Sequence, residues 1–277
     1  MASHAAAWLK TRLGVDELQR RVDGMTPAVS TWAFTNWIEQ ATLDRSPLIS
    51  VVLPTRNRAT LLPRAVASVR AQRYATWEIV LVDDASTDDT PAVVESLQAE
   101  LGPDRLRSIR SLPGGVCAAR NHALASARGS LIAYLDDDNT MHPLWLKAVA
   151  WAFVQRPDVD VLYGGIVVDD LLRVNRRDSG RLPSYHLFQF DRGYLASNNL
   201  ADMGAIAHRH GLAEARFDET LREMGDWDLL IRLTREKAPL VLPAIACFYH
   251  TDSPNRLSGG PTAKADALRV RAKAQAP

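Results

Sequence analysis

Cysteine is scarce in this chain: only Cys117 and Cys247 occur in 277 residues, far apart and with no C-x-x-C spacing. That excludes a disulfide framework and a cysteine-based zinc site, and it fits a reducing, cytoplasmic compartment. Excess charge is also lacking. Thirty-three Lys and Arg against thirty-two Asp and Glu give a formal net charge of +1. The whole molecule therefore has no field that would draw it to nucleic acid or to a membrane. No apolar run approaches the roughly 18 residues of a membrane-spanning helix. The first residues, "MASHAAAWLKTRLGVDELQRR", lack a signal-peptide core, so secretion is not expected. What remains is an ordinary globular composition, 47% hydrophobic and 23% charged. Its length suits one large α/β domain or two small ones.

Residues 1–46 read as a mostly helical extension, broken near Gly24 and Pro27, with Trp8, Trp32 and Trp37 as its apolar bulk. Packing onto the main domain is the favoured reading, and peripheral membrane contact is left open. From residue 48 the pattern alternates. "LISVVLP", "WEIVLVDD", "RLRSIR" and "LIAYL" have the length and β-branched content of buried strands. Between them lie helical stretches. In "ATLLPRAVASVRAQ" Leu62, Ala65, Val66 and Val69 share a face, and "STDDTPAVVESLQ" offers Thr90 as N-cap and Pro91 at the first helical position. "GGVCAARNHALASA" reads as loop, then helix. This alternation predicts a mainly parallel, Rossmann-like sheet flanked by helices.

In such sheets ligands bind beyond the carboxyl ends of the strands. The first strand ends at Pro54-Thr55-Arg56-Asn57-Arg58, the second at Asp83-Asp84 and the fourth at Asp136-Asp137-Asp138. Three polar clusters at three strand ends predict one shared site. Packed carboxylates repel one another unless a cation holds them, so the Asp136–Asp138 run asks for positive charge. Further on, "DVLYGGIVV" and "PLVLPAIACFYH" read as strands, the latter ending at His250. "GDWDLLIRLT" opens a helix with Asp226 and Asp228 in its first turn, and the end of the chain reads as a basic, Ala-rich helix or a frayed tail.

Six segments in this order, "SVVLPTRNR", "VLVDDASTDDT", "GGVCAARNHAL", "YLDDDNTMHP", "FDETLREMGDWDLLIRL" and "FYH", resemble the family 2 glycosyltransferases. These are inverting enzymes of the GT-A fold. The resemblance runs from about Pro47 to Ser258. It implies a GT-A domain over 47–260, with a nucleotide-sugar half at 47–143 and an acceptor half at 144–260. An N-terminal extension (1–46) and a C-terminal tail (261–277) flank it.

The resemblance also implies roles. "DDDNTMHP" is similar to the family's D-x-D element, which makes Asp138 a ligand of Mn²⁺ or Mg²⁺, with Asp136 or Asp137 on the ribose or the metal shell. His250 would be a second metal ligand. Asp84 would read the base of a UDP, TDP or GDP sugar; Pro54, Thr55, Arg56 and Arg58 would wall the nucleotide, and Arg120 would lie near the sugar or diphosphate. Asp226 would be the general base for an acceptor hydroxyl. The family's usual acid before that base is here Gly225. Asn198, Asn199, Met203 and Trp227 are candidates for the acceptor pocket, and Arg256 and Ser258 for phosphate contacts. The implied activity is metal-dependent, inverting hexosyl transfer (EC 2.4), with no nucleic-acid partner. The sugar, the acceptor and any homo-oligomer stay open.

Two rival readings attach to the same residues. "IAYLDDDNT" also matches the nucleophile motif of haloacid-dehalogenase-like phosphatases, with Asp136 as nucleophile. That motif belongs on a first strand, however, and three strands precede it here. A non-catalytic nucleotide-sugar-binding subunit is invited only by Gly225. A nucleotidylyltransferase fits poorly, because "PTRNR" lacks the Gly-rich stretch that cradles a triphosphate.

Overall fold

The computed structural model describes residues 26–169, 184–251, 260 and 262–275. Trp8, Arg256 and Ser258 lie outside the described residues. The described residues begin with helix α1 (Pro27–Gln40) and then alternate: β1 (Ile49–Thr55), α2 (Leu62–Arg70), β2 (Trp77–Asp84), α3 (Thr90–Leu101), β3 (Leu106–Ser111), α4 (Val116–Ser126) and β4 (Leu131–Tyr134). There follow β5 (Thr140–Met141), α5 (Trp145–Gln155), β6 (Val161–Asp169), β7 (Ser184–His186), the short α6 (Arg192–Leu195) and β8 (Ile206–Arg209). Helix α7 (Gly225–Leu233), β9 (Leu240–His250) and α8 (Ala263–Gln275) complete the chain.

The strands form one nine-stranded sheet in the order β3-β2-β1-β4-β8-β6-β9-β5, with β7 paired to β6. Its first part, β3-β2-β1-β4, is wholly parallel, as the alternation predicts. Beyond β4 the character changes: β8 runs antiparallel to both neighbours, while β6 and β9 are parallel to each other. β1, β2 and β4 are buried along their whole length, while β3 at the sheet edge is mostly half-buried. Strand pleating sends successive side chains to opposite faces. Val51 and Leu53 join a core with Phe34, Val66 and Trp151, whereas Val52, Val80 and Val82 join another with Cys117, Ala119 and Leu230. The sheet is thus covered on both faces, as its near-continuous apolar strands require.

The N-terminal extension divides in an instructive way. Trp37 is buried edge-on against Trp151, with ring centroids 4.8 Å apart, and Phe34 completes the aromatic group. Trp32, by contrast, is 62% exposed. At α3 the boundary falls one residue earlier than predicted, because Thr90 is already helical. Asp88 accepts the Thr90 amide at 2.9 Å, and the freed Thr90 hydroxyl accepts from the Arg58 amide, also at 2.9 Å. The C-terminal tail is an ordered helix on the main domain. Its Val270 is fully buried, and Lys273 bonds Asp228 of α7 at 2.8 Å. No helix among the described residues is long and apolar enough to cross a membrane.

Candidate active site

The carboxyl ends of β1, β2 and β4 open onto a cavity of about 740 Å³, closed on its far side by the 199–203 turn, the start of α7 and the β6–β7 pair. The three polar clusters expected at the strand ends all line it. Adjacent strands are tied at this rim, where Thr55 Oγ1 donates to Asp137 Oδ2 at 2.7 Å. Three non-glycine residues border the cavity in left-handed backbone conformation or adjoin a residue that does: Asn57 (φ 53°), Ala85 (φ 54°) and Met224 (φ 59°). Backbone of this kind persists only where its surroundings over-determine it.

At one end, Asp84 accepts the amides of Gly114 (2.7 Å) and Gly115 (3.0 Å), and Arg56 reaches it at 3.3 Å. Gly115 needs its φ of 86° to offer that amide, and a side chain there would also meet the Arg222 guanidinium. Asp83 turns away from the cavity and caps the Ser86 amide at 2.9 Å, so it is a structural acid.

In the middle lies the Asp136–Asp138 turn. Burial, reinforced by the neighbouring Asp138 and Asp136, pushes the Asp137 carboxyl up to about 7, against the Thr55 hydrogen bond and Arg58. Arg58 stands between two of the acids, 4.0 Å from Asp137 Oδ1 and 3.9 Å from Asp138 Oδ2. Arg64 donates to the Asp138 carbonyl at 2.7 Å and fixes the turn's backbone. Arg120, on α4, is almost fully buried, donates to Asp136 Oδ1 at 2.6 Å and lies over the Phe217 ring. Three carboxylates meet the Arg58 and Arg120 guanidinium groups at this turn. Among the described residues no group of three or more His, Cys, Asp or Glu could hold a metal ion. A hard cation here would be held by one or two carboxylates, with phosphate oxygens and water in the other positions.

At the far end, Asp226 sits in the first turn of α7. Asn199 Nδ2 donates to its Oδ2 at 2.8 Å and the Trp227 amide to its Oδ1 at 2.8 Å. Burial raises its proton affinity, Asp136 adds to that, and the two hydrogen bonds and Arg120 oppose it; the net shift is upward. Asp202 caps the 203–205 turn by accepting from Gly204 at 3.0 Å. Burial and the nearby Asp136 and Asp226 lift its carboxyl well above the usual range.

This arrangement has known counterparts. A sequence model of Glycosyl transferase family 2 matches residues 50–216. The chain belongs to glycosyltransferase family 2. It is 30% identical over 200 residues to the "Putative colanic acid biosynthesis glycosyl transferase WcaA" of Escherichia coli K12, covering 70% of this chain and 68% of that protein. It is 33% identical over 207 residues to the "Succinoglycan biosynthesis protein ExoO" of Rhizobium meliloti, covering 68% of this chain and 56% of ExoO. S. aureus TarS in complex with UDP-GlcNAc superposes with a TM-score of 0.64 at 22% identity, over 82% of this chain and 66% of that one. The mannosyltransferase PcManGT of Pyrobaculum calidifontis, in complex with GDP-Man and Mn²⁺, gives 0.56 at 22% identity, over 86% and 68%. These likenesses show the GT-A fold, and the phosphatase reading falls with them.

Seen as a family 2 glycosyltransferase, the chain gathers most of the residues singled out from sequence. Pro54, Thr55, Arg56, Arg58, Asp84, Arg120, Asp136, Asp137, Asp138, Asn199, Met203 and Asp226 all line the cavity. Three do not. Asn198 turns to the Tyr194 carbonyl. Trp227 is buried and donates its indole to the Leu195 carbonyl at 2.6 Å. His250 bonds the residues just after the acidic turn, with Nε2 3.1 Å from Thr140 Oγ1 and its amide on Asn139 Oδ1 at 3.0 Å.

Gly225 has a local explanation. A Cβ there would stand 3.0 Å from Cys117 Sγ and 3.7 Å from Arg120 Nη1, so the thiol and guanidinium occupy the space an acidic side chain would enter. Sequence reasoning missed Asp202, Arg222 and Glu223. The D-x-G of "ADMG" was the available signal for Asp202 as a cap; nothing marked the other two.

Proposed function

We propose that this glycosyltransferase moves a sugar, with inversion, from a nucleoside-diphosphate sugar to an acceptor hydroxyl. The observation that carries the reading is Asp226. Both its oxygens are fixed by hydrogen bonds, and it shares a cavity with the acidic turn, near enough for Asp136 to raise its proton affinity. In this reading the nucleotide lies over β1 and β2, its base facing Asp84 and Arg56. Asp226 takes the proton of the acceptor hydroxyl as that oxygen attacks the anomeric carbon from the side opposite the departing diphosphate. The raised proton affinity of Asp226 suits a base working near neutral pH. Asn199 aims the carboxylate, and Arg120 keeps the adjoining Asp136 in place.

Asp138 would hold the divalent ion, Mn²⁺ or Mg²⁺, which when bound neutralises the leaving diphosphate. His250 supports the acidic turn through Thr140 and Asn139 in this account. UDP, TDP and GDP sugars remain the candidate donors; the complexes of TarS and PcManGT support that class. The reading includes a cytoplasmic setting, in keeping with two buried, unbridged cysteines.

The test is calorimetric titration with UDP, TDP and GDP and their sugars, with Mn²⁺ and then with chelator. Saturable binding of one nucleotide, weakened by the chelator, is the expected outcome. No binding of any nucleotide under either condition would overturn the proposal.

A further inference from the structure

Residues 222–224 form the turn that leads into α7 and delivers Asp226 to the cavity. Met224, two residues before Asp226, has φ 59° and ψ 19° without glycine's freedom. Such a conformation is strained for a residue with a side chain and needs external restraint. The restraint comes from α8. Asp266, 2% exposed, accepts two successive backbone amides of the turn on one oxygen: Arg222 at 2.8 Å and Glu223 at 2.9 Å. The turn answers in kind. The Glu223 carboxylate, itself buried, accepts the Thr262 hydroxyl at 2.8 Å and the Gly260 amide at 3.2 Å at the start of α8. Lys273, two helical turns further along, bonds Asp228 on the far side of α7.

We propose that Asp266 is a positioning residue for the catalytic base: with Glu223 and Thr262 it clamps the 222–224 turn, so that α8 is part of the active-site scaffold. The inference rests on the reading of Asp226 as base. A buried carboxylate aimed at main-chain amides fixes a backbone path, and small displacements of a reacting group are costly in rate. Donor binding rests mainly on the β1–β2 end of the cavity, which the clamped turn reaches only through the Arg222 guanidinium beside Gly115. The clamp therefore bears on kcat more than on nucleotide affinity.

The experiment compares Asp266→Ala and Asp266→Asn in the full chain, with kcat, donor KM and the stoichiometry and Kd of nucleoside-diphosphate binding measured for each. Asparagine keeps an oxygen for the two amides. We expect Asp266→Ala to lower kcat about 10- to 100-fold, with nucleotide stoichiometry and Kd unchanged and Asp266→Asn restoring most of the rate. Thr262→Val, which leaves Asp266 in place but removes one arm of the clamp, lowers kcat in the same direction and serves if Asp266→Ala does not fold. Unchanged kcat in both Asp266→Ala and Thr262→Val would overturn the proposal. So would a loss of turnover matched by an equal loss of nucleotide-binding sites. Asp226→Asn in the same series separates the two readings: if it turns over normally, the base assignment itself is wrong, whereas if it is inactive and Asp266→Ala is not impaired, only the clamp fails.

Discussion

The two ends of the cavity are built differently. At the β1–β2 end, each acid is matched to donors: Asp84 to two glycine amides and Arg56, Asp83 to Ser86, Asp88 to Thr90. At the end formed by the acidic turn, the 199–203 turn and α7, Asp137, Asp202 and Asp226 all have raised proton affinities, with burial as the first cause. The first end is a pre-satisfied surface suited to recognition. The second crowds buried carboxyl groups together, which favours a proton or a cation there, and carboxylates perturbed in this way are frequent at functional sites.

The comparison can be broken from either side. Asp138→Ala removes a carboxylate from the charged end and should weaken metal-supported nucleotide binding about 100-fold, with little effect when chelator is present; titration with and without Mn²⁺ reads this. Asn199→Ala removes one of the two hydrogen bonds that favour charged Asp226. A donor to a carboxylate contributes about 1.5–3 kcal/mol, so kcat should fall roughly tenfold or more.

The pH dependence follows with a definite sign. As the proposed base Asp226 would work deprotonated, and its pKa is raised, so kcat/KM should climb with pH on the acid limb. Removing the Asn199 donor raises the pKa further, and the limb moves to higher pH. A limb that moved down would contradict the hydrogen bond's role. The smallest effect belongs to Gly225→Glu, which must displace Cys117 Sγ or Arg120. Overpacking of this order costs about 1–3 kcal/mol and should be visible as a lower denaturation midpoint with nucleotide affinity largely kept.

The same division explains what could be read in the sequence. β1, β2 and β4 announce themselves as buried apolar runs ending in polar clusters, because a parallel strand covered on both faces has to be apolar throughout. Their carboxyl ends then fix where Asp84 and Asp138 go. In the other half that logic weakens. β8 is four residues long and gives no period to count, and α5, "WLKAVAWAFVQ", is buried nearly all round, so it has no polar stripe to betray a helix. Trp227, a candidate for the acceptor pocket, adjoins Asp226 in the sequence. One residue along a helix turns a side chain by about 100°, and that rotation puts the indole in the core. Glu223 and Asp266 were illegible for another reason: their partners are 260–262 and 222–223, contacts between segments that only the folded chain brings together.

As the proposed base, Asp226 would act in the transfer step and not in donor binding. Asp226→Asn separates the two, with donor binding followed by calorimetry and turnover by release of nucleoside diphosphate. Nucleotide affinity should stay within about twofold of the parent while the rate falls at least 100-fold, the scale of general-base catalysis. Turnover near the parent's rate, with binding intact, would contradict that role.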